Sequence, residues 1–102
     1  SMKIMYVFLA LLAWIVSLNS YAGKDLDAEQ IRQLLSRGEI LSLDRILQMN
    51  QAQLRGRLLD LEVEQDHGLI IYEMEFILDN GHVLEFEVDA ATGRILQQEL
   101  KD

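Results

Sequence analysis

The side chains that could act as bases, nucleophiles or metal ligands are few and widely separated. The two histidines, His67 and His82, lie in predicted turns at opposite ends of one predicted strand. At about 3.3 Å per residue this strand separates them by roughly 25 Å, so they cannot share a metal ion or a catalytic triad. The chain contains no cysteine, which excludes a thiolate nucleophile, a disulfide framework and a thiolate metal site.

The hydroxyl side chains after residue 22 all have structural explanations. Ser42 is predicted to cap a helix, and Ser36 lies near a helix end. Thr92 lies in a predicted turn, and Tyr72 belongs to an apolar alternation. No glycine-rich phosphate loop or zinc-peptidase helix motif is present. The sequence therefore predicts a protein that is not an enzyme and that uses no cofactor or metal.

Carboxylates are the abundant chemical group, and they are concentrated in the second half of the chain. The 102 residues include 9 basic and 17 acidic ones, a formal net charge of −8. Residues 58–102 hold twelve acidic and two basic residues, whereas residues 23–57 are nearly balanced. This charge makes unaided binding to nucleic acid or to an anionic membrane surface unfavourable.

Alternation with a period of two places these carboxylates on one face of a predicted antiparallel sheet. The alternating runs lie at residues 59–64, 70–78 and 84–89, and a weaker fourth strand is expected near 94–99. The apolar face is expected to contain Leu59, Leu61, Tyr72, Met74, Phe76, Leu84, Phe86 and Val88. The opposite face is expected to contain Asp60, Glu62, Glu64, Glu73, Glu75, Glu85, Glu87 and Asp89.

The acidic face has two interpretations, which the residues leave open. A solvated outer face would keep a small domain soluble. Alternatively, the face is a docking surface for a basic protein or for divalent cations, and Ile71 and Ile77 on the same face favour a protein. The candidate partner-binding residues are Glu73, Glu75, Glu85 and Glu87.

The face assignment fixes the register of the second hairpin. A two-residue loop would place Glu85 opposite Phe76 and so bring a carboxylate into the core. A three-residue loop ending at Gly81 places Leu84 opposite Phe76, with Gly81 in the left-handed region after a type I turn. The sequence predicts the three-residue loop. Around His67 a loop of either two or four residues is compatible with the alternation.

Two helices are predicted before these strands. Asp27 and Gln30 have the spacing of a capping box, which predicts a helix from about Ala28 to Arg37. Ser42 is the expected N-cap of a second helix over residues 43–53. The residues of that helix expected to cover the sheet are Leu43, Ile46 and Leu47. The predicted fold class is α+β, with two N-terminal helices on one face of a meander of three or four antiparallel strands.

Residues 1–22 are interpreted as a cloning remnant, Ser1, followed by a secretory signal peptide. Lys3 provides the positive start, an apolar run extends from residue 4 to 18, and cleavage is expected after Ala22. An uncleaved membrane anchor is the rival interpretation, in which residues 4–18 would be helical and in contact with another molecule or a micelle. This run is shorter than the roughly 20 residues that span a bilayer. Export without cysteine favours the bacterial periplasm.

Two segments resemble the PepSY domain. They are the strand Tyr72-Glu73-Met74-Glu75 and the ending Val88-Asp89-Ala90-Ala91-Thr92-Gly93, and the resemblance covers roughly residues 42–100. Arg55-Gly56 stands where the family frequently has Pro-Gly. Four residues are expected to hold turns: Gly81, Asp89, Thr92 and Gly93.

The resemblance implies a role in protein binding. PepSY domains occur in the propeptides of thermolysin-like metalloproteases, where they inhibit or chaperone the enzyme, and also as small exported proteins. The chain is therefore divided into a signal segment (1–22), a helical segment (23–41) and a PepSY-like domain (42–102). The expected function is a non-catalytic periplasmic binding or regulatory module, such as a protease inhibitor or an accessory of an envelope sensor. The alternatives are an acidic protein that binds divalent cations and a structural subunit that forms homo-oligomers.

Overall fold

The computed structural model of the protein describes residues 23–101. Its strands are β1 (Lys24–Asp25), β2 (Arg57–Asp66), β3 (Leu69–Ile77), β4 (Val83–Asp89) and β5 (Ile95–Leu100), and its helices are α1 (Ala28–Ser36) and α2 (Leu43–Met49). The strands form one antiparallel sheet in which their spatial order follows the chain order. The predictions about cleavage after Ala22 and a helix over residues 4–18 lie outside the described residues.

The α+β class is confirmed, with two corrections to the predicted arrangement. The helices follow β1 rather than opening the domain, and the sheet has five strands rather than three or four. Strand β1 has only two residues, which is too short for an alternation to be recognised. Neither helix within residues 23–101 is long and apolar enough to cross a membrane.

Both helices begin at the predicted caps. The Asp27 side chain accepts the Gln30 backbone N–H at 2.8 Å, and the Gln30 side chain accepts the Asp27 N–H at 3.0 Å, so the capping box is complete. The Ser42 hydroxyl accepts the Arg45 N–H at 3.2 Å. Helix α2 ends at Met49 rather than near residue 53.

Asn50 explains this early end of α2. Its side-chain amide donates to the Ile46 carbonyl at 3.0 Å and to the Gly93 carbonyl at 2.8 Å. The backbone of Asn50 leaves the helical region, with φ −124° and ψ 36°. The amide therefore caps the helix and ties it to the turn before β5.

The two main hairpins have defined registers. In β3–β4, Phe76 lies opposite Leu84, and the Gly81 N–H donates to the Leu78 carbonyl at 2.9 Å, which confirms the three-residue loop. The β2–β3 hairpin has the shorter of the two loops compatible with the alternation. This loop contains His67 and Gly68, whose φ values of 49° and 83° fit the tight turns that follow the twist of a sheet.

A β-bulge in β2 overturns one core assignment. Leu58 lies opposite Phe76 and Asp60 lies opposite Glu75, so Leu59 is the extra residue of the bulge. Leu59 is 45% exposed, whereas Leu58 packs against the core. The prediction that Leu59 belongs to the apolar face was wrong because two consecutive leucines fit either phase of the alternation.

The core lies between α2 and the apolar sheet face, as predicted. The largest fully buried side chains are Phe86, Ile46, Met74 and Val88. The Phe76 and Phe86 rings meet edge to face, with centroids 5.8 Å apart. The Tyr72 hydroxyl donates to the Leu41 carbonyl at 2.6 Å, which ties the segment before α2 to β3.

Candidate functional site

Three neighbouring strands place carboxylates directly opposite one another. Glu73 on β3 lies between Glu62 on β2 and Glu87 on β4. One step along the same face, Glu75 lies opposite both Asp60 and Glu85. We call this surface the acidic face; its residues are Asp25, Asp60, Glu62, Glu64, Glu73, Glu75, Glu85 and Glu87.

The four predicted partner-binding residues come together on this face. Glu73 lies opposite Glu87, and Glu75 lies opposite Glu85, as the hairpin register requires. All four side chains are half-buried. Like charges directly opposite in a sheet destabilise it by roughly a few tenths of a kcal/mol for each pair. The folded protein therefore holds these four charges in an unfavourable arrangement.

Glu73 has the most perturbed acidity of the face. Partial burial is the main cause, followed by a hydrogen bond with Glu64 and by the negative charges of Glu64, Glu85 and Asp25; together they raise the pKa of Glu73 from 4.5 to about 7. A protonated Glu73 donates this hydrogen bond to the Glu64 carboxylate. Near neutral pH, the Glu73 site therefore exchanges between a neutral and a charged form.

Three other glutamates of the acidic face are also harder to ionise than usual. The negative charge of Asp25 is the main cause of the raised pKa of Glu62. Desolvation is the main cause of the raised pKa of Glu64 and of Glu87. The surroundings of these side chains thus disfavour their charged forms, and a cation placed against the face would reverse that effect.

Lys101 is the cation that already lies on this surface. Its Nζ is 3.2 Å from Glu75 Oε1 and 3.9 Å from Glu85 Oε2. The hydrogen bond to Glu75 is the main cause of the raised pKa of Lys101. A shallow depression of about 150 Å³ is lined by these three residues together with Asp60, Glu62 and Glu73. The carboxylates next to Lys101 are therefore partly neutralised, unlike those around Glu73.

Asp25 and Lys101 are members of the site that the sequence did not reveal. Asp25 lies opposite Glu64 because β1 pairs with the end of β2. Lys101 comes directly after β5, a strand whose alternation is weak. Its backbone N–H donates to the Val83 carbonyl at 2.8 Å. Strand β1 is too short to be recognised from alternation, whereas β5 corresponds to the fourth strand expected near residues 94–99, which ended before Lys101.

Comparison with known families identifies the domain. The family model PepSY, described as "Peptidase propeptide and YPEB domain", matches residues 40–99. The chain belongs to the PepSY family. This confirms the resemblance drawn from the sequence. The matched residues contain α2, strands β2 to β4 and all but the last residue of β5.

A curated relative is similar to part of the chain. The chain is 40% identical over 50 residues to the uncharacterized protein YkoJ of Bacillus subtilis (strain 168). The aligned segment covers 49% of this chain and 29% of YkoJ, so the chain spans less than a third of that relative. No solved structure matches the chain.

The acidic face of this PepSY domain also contains two isoleucines, which differ in accessibility. Ile71 is only 7% exposed and lies between Glu64 and Asp89 on the neighbouring strands. Ile77 is half-buried and lies opposite Val83. Ile71 is thus already covered by its neighbours, and its presence does not favour a partner.

The turn after β4 is held by side chains of the PepSY ending. The Asp89 carboxylate accepts the Ala91 N–H at 3.0 Å, and the Asp89 carbonyl accepts the Gly93 N–H at 2.8 Å. The Thr92 hydroxyl accepts the Arg94 N–H at 3.2 Å, and Gly93 has φ +80°. Asp89 lies opposite Ile71 on the side of the acidic face, as predicted, and its carboxylate orders this turn.

The candidate catalytic groups of residues 23–101 remain apart. His67 lies in the β2–β3 turn beside Asp66, and His82 lies in the loop between β3 and β4. The Ser36 hydroxyl donates to the Gln33 carbonyl at 2.9 Å, in keeping with its position at a helix end. The described residues thus bring together carboxylates, but no pair of a nucleophile and a base.

Three carboxylates of the acidic face lie close enough to meet one ion. Oxygens of Asp25, Glu62 and Glu64 all lie within 4.8 Å of one another. Hard cations such as Ca²⁺ take six to eight oxygen ligands, so water would have to complete their coordination here. Asp25 and Glu62 are exposed, so this arrangement would hold a cation weakly.

Proposed function

We propose that this PepSY-family chain is a non-catalytic binding module whose acidic face docks onto a basic surface of a partner protein in the bacterial cell envelope. The observation that carries the proposal is the set of directly opposed carboxylates around Glu73. Glu64, Glu73 and Glu87 are half-buried and Glu62 is exposed, and the pKa of all four is raised.

Repulsion on the acidic face would be stronger in the free domain than in the domain bound to a basic partner. In the free domain, the opposed pairs Glu62–Glu73 and Glu73–Glu87 repel each other. Lysine or arginine side chains of a partner would relieve this repulsion and would also steer the approach of the partner. If these carboxylates served only to keep the protein soluble, carboxylates at separate positions, not opposite one another, would serve equally well.

The kind of partner follows from the family and from residues 1–22. The family description names peptidase propeptides, which supports a protease as one class of partner and restraint of that protease as the role. The apolar run at residues 4–18 supports export, and the absence of cysteine supports the periplasm as the site of action.

The experiment compares the wild type with the double variant Glu73→Gln/Glu87→Gln. These two residues oppose each other and make no ion pair with Lys101. The substitution therefore removes both repulsive pairs that include Glu73 and leaves the Lys101 bridge intact. The variant should be at least as stable as the wild type. It should retain less partner in a pull-down from periplasmic extract, mainly through a slower and less salt-dependent association rate.

A matched control removes the same number of negative charges outside the acidic face. Glu29 and Glu39 are exposed and lie on and after α1, away from the sheet. Glu29→Gln/Glu39→Gln should therefore bind like the wild type at low salt and at about 0.15 M salt. Equal retention of the partner by both double variants and the wild type would show that the acidic face is not the docking site.

Divalent cation binding is the second candidate function, and the proximity of Asp25, Glu62 and Glu64 is the observation that favours it. Calcium bound to the folded state would raise the melting temperature by mass action, and Glu62→Gln should abolish that rise. Sodium chloride at matched ionic strength controls for screening. An equal rise in both salts would eliminate this function.

A further inference from the structure

Lys101 is held beside the acidic face by both its main chain and its side chain. Its backbone N–H donates to the Val83 carbonyl at 2.8 Å, directly after the last residue of β5. From this position its ammonium group contacts carboxylates on two strands, Glu75 of β3 at 3.2 Å and Glu85 of β4 at 3.9 Å. The folded chain therefore supplies one cation to its own acidic face.

Two rows of directly opposed side chains cross strands β2 to β5 on this side of the sheet. The members of the first, which we call the Glu75 row, are Asp60, Glu75, Glu85 and Glu99. The members of the second, which we call the Glu73 row, are Glu62, Glu73, Glu87 and Gln97. Both rows thus bring like charges together, and the Glu75 row contains one carboxylate more.

Within residues 23–101, only the Glu75 row has a cation paired with it. Lys101 contacts two of its four carboxylates, whereas no lysine or arginine of these residues forms an ion pair with Glu62, Glu73 or Glu87. The pKa of each of these three glutamates is raised, and a paired cation would lower it. The Glu73 row is therefore the one whose charges the described chain leaves unbalanced.

We propose that Lys101 competes with the basic side chains of the partner for Glu75 and Glu85, which weakens docking and centres it on the Glu73 row. The inference rests on the proposed function, because it concerns the same face and the same kind of partner. It adds that the chain restrains its own docking through an internal contact, and it names the row on which lysine or arginine side chains of the partner lie.

Tethering makes Lys101 an effective competitor. Because its backbone is fixed next to β4, its ammonium group is present near these carboxylates at an effective concentration on the order of millimolar or higher. The ion pair is nevertheless accessible, since 53% of the Lys101 side chain and 23% of the Glu75 side chain are exposed. Exposed ion pairs are weak, so a partner with several cations can displace Lys101. The contact therefore weakens docking without preventing it.

The depression beside Lys101 gives an incoming cation access to both rows. Its lining includes Asp60 and Glu75 from one row and Glu62 and Glu73 from the other. Lys101 is also part of this lining, so its charge would repel a second ammonium group that entered the depression. Removing the charge of Lys101 should free carboxylates of the Glu75 row and eliminate this repulsion.

Titration with a basic peptide tests the inference. The probe is tetralysine with an acetylated N-terminus and an amidated C-terminus, and binding to the full chain in non-ionic detergent is followed by amide chemical shifts. At about 0.15 M salt, charges more than roughly 8 Å apart are largely screened. Lys101→Met should bind the probe about two- to fivefold more tightly than the wild type, whereas Lys101→Arg should show no gain. The shifts should centre on the Glu73 row in the wild type and extend to Glu75 and Glu85 in Lys101→Met.

Two controls separate the freed carboxylates from the change in net charge. Lys24→Met removes the same charge from an exposed residue opposite Gln65 on β2, and it should change the affinity by less than about 1.5-fold. Adding Glu75→Gln to Lys101→Met should return the affinity to about that of the wild type. Adding Glu39→Gln instead gives the same net charge outside the acidic face and should retain the gain.

Two results would overturn the inference. One is equal affinity of Lys101→Met and Lys24→Met for the probe, and the other is no binding by Lys101→Met up to about 10 mM probe. Neither result decides the proposed function, which is tested with the partner itself. A docking site elsewhere on the domain would instead appear as equal retention of the partner by the wild type and Glu73→Gln/Glu87→Gln.

Discussion

Replacing Glu73 by Gln should remove much of the pH dependence of folding stability. The folded state raises the pKa of Glu73 from 4.5 to about 7, mainly by burial and by its hydrogen bond with Glu64. The folded protein therefore binds this proton more tightly than the unfolded chain does. Stability should be greater near pH 4.5 and should decrease as the pH rises through about 7.

The magnitude follows from the size of the shift. At roughly 1.4 kcal/mol per pKa unit, the full shift would correspond to about 3 kcal/mol. Water reaches this half-buried carboxyl, and Glu64 shares part of the interaction, so we expect a loss of about 1–2 kcal/mol for the wild type between pH 5 and pH 8. Gln resembles the protonated acid at every pH, so the variant should exceed the wild type in stability by a similar amount at pH 8.

Urea unfolding followed by circular dichroism at several pH values measures this difference. The control is Glu39→Gln, because Glu39 is exposed and lies in the loop after α1. That variant should follow the wild-type pH profile. A wild-type stability that increases from pH 5 to pH 8, or a Glu73→Gln variant with the wild-type profile, would refute the argument.

Other substitutions test the turns, the bulge and the first helix cap. Gly81→Val and Gly93→Val should each cost more than about 1 kcal/mol in thermal unfolding, because φ is +89° and +80° there. At Gly93 the new Cβ would also approach the end of the exposed Met49 side chain to 2.7 Å, but this flexible side chain can move, so we expect a similar cost at both positions. Leu58→Ala should cost about 1–2 kcal/mol and Leu59→Ala less than about 0.5 kcal/mol, and the reverse order in urea unfolding would contradict the bulge. Asp27→Ala should cost about 1 kcal/mol, and unchanged thermal stability would exclude a role for the capping box.

An alternation of apolar and polar residues predicts a strand well where the alternating run is long and is bounded by turns. Strands β3 and β4 could be placed in register from the sequence because a carboxylate opposite Phe76 is incompatible with a core. The helix starts were equally readable, since Asp27 and Ser42 have the side chains that caps require. In these segments, local chemistry and tertiary packing favour the same structure.

The remaining features depend on contacts between distant parts of the chain. The end of α2 is set by the bond from Asn50 to the Gly93 carbonyl, which are 43 residues apart. Likewise, Asp25 joins the acidic face only because two residues of β1 pair with β2. The pairs of opposed glutamates were predictable from the register, but their altered acidity depends on burial and on this additional carboxylate.

The hydrogen bond from Tyr72 to the Leu41 carbonyl makes this side chain an optical reporter. Trp14 and the other two tyrosines lie in residues 1–22, so a chain cleaved after Ala22 would contain a single phenol and no indole. Burial raises the pKa of Tyr72, and ionisation would place a negative charge against a carbonyl oxygen. In an alkaline titration, the phenolate absorbance would therefore appear only as the segment before α2 separates from β3, and it would measure that opening without any added label.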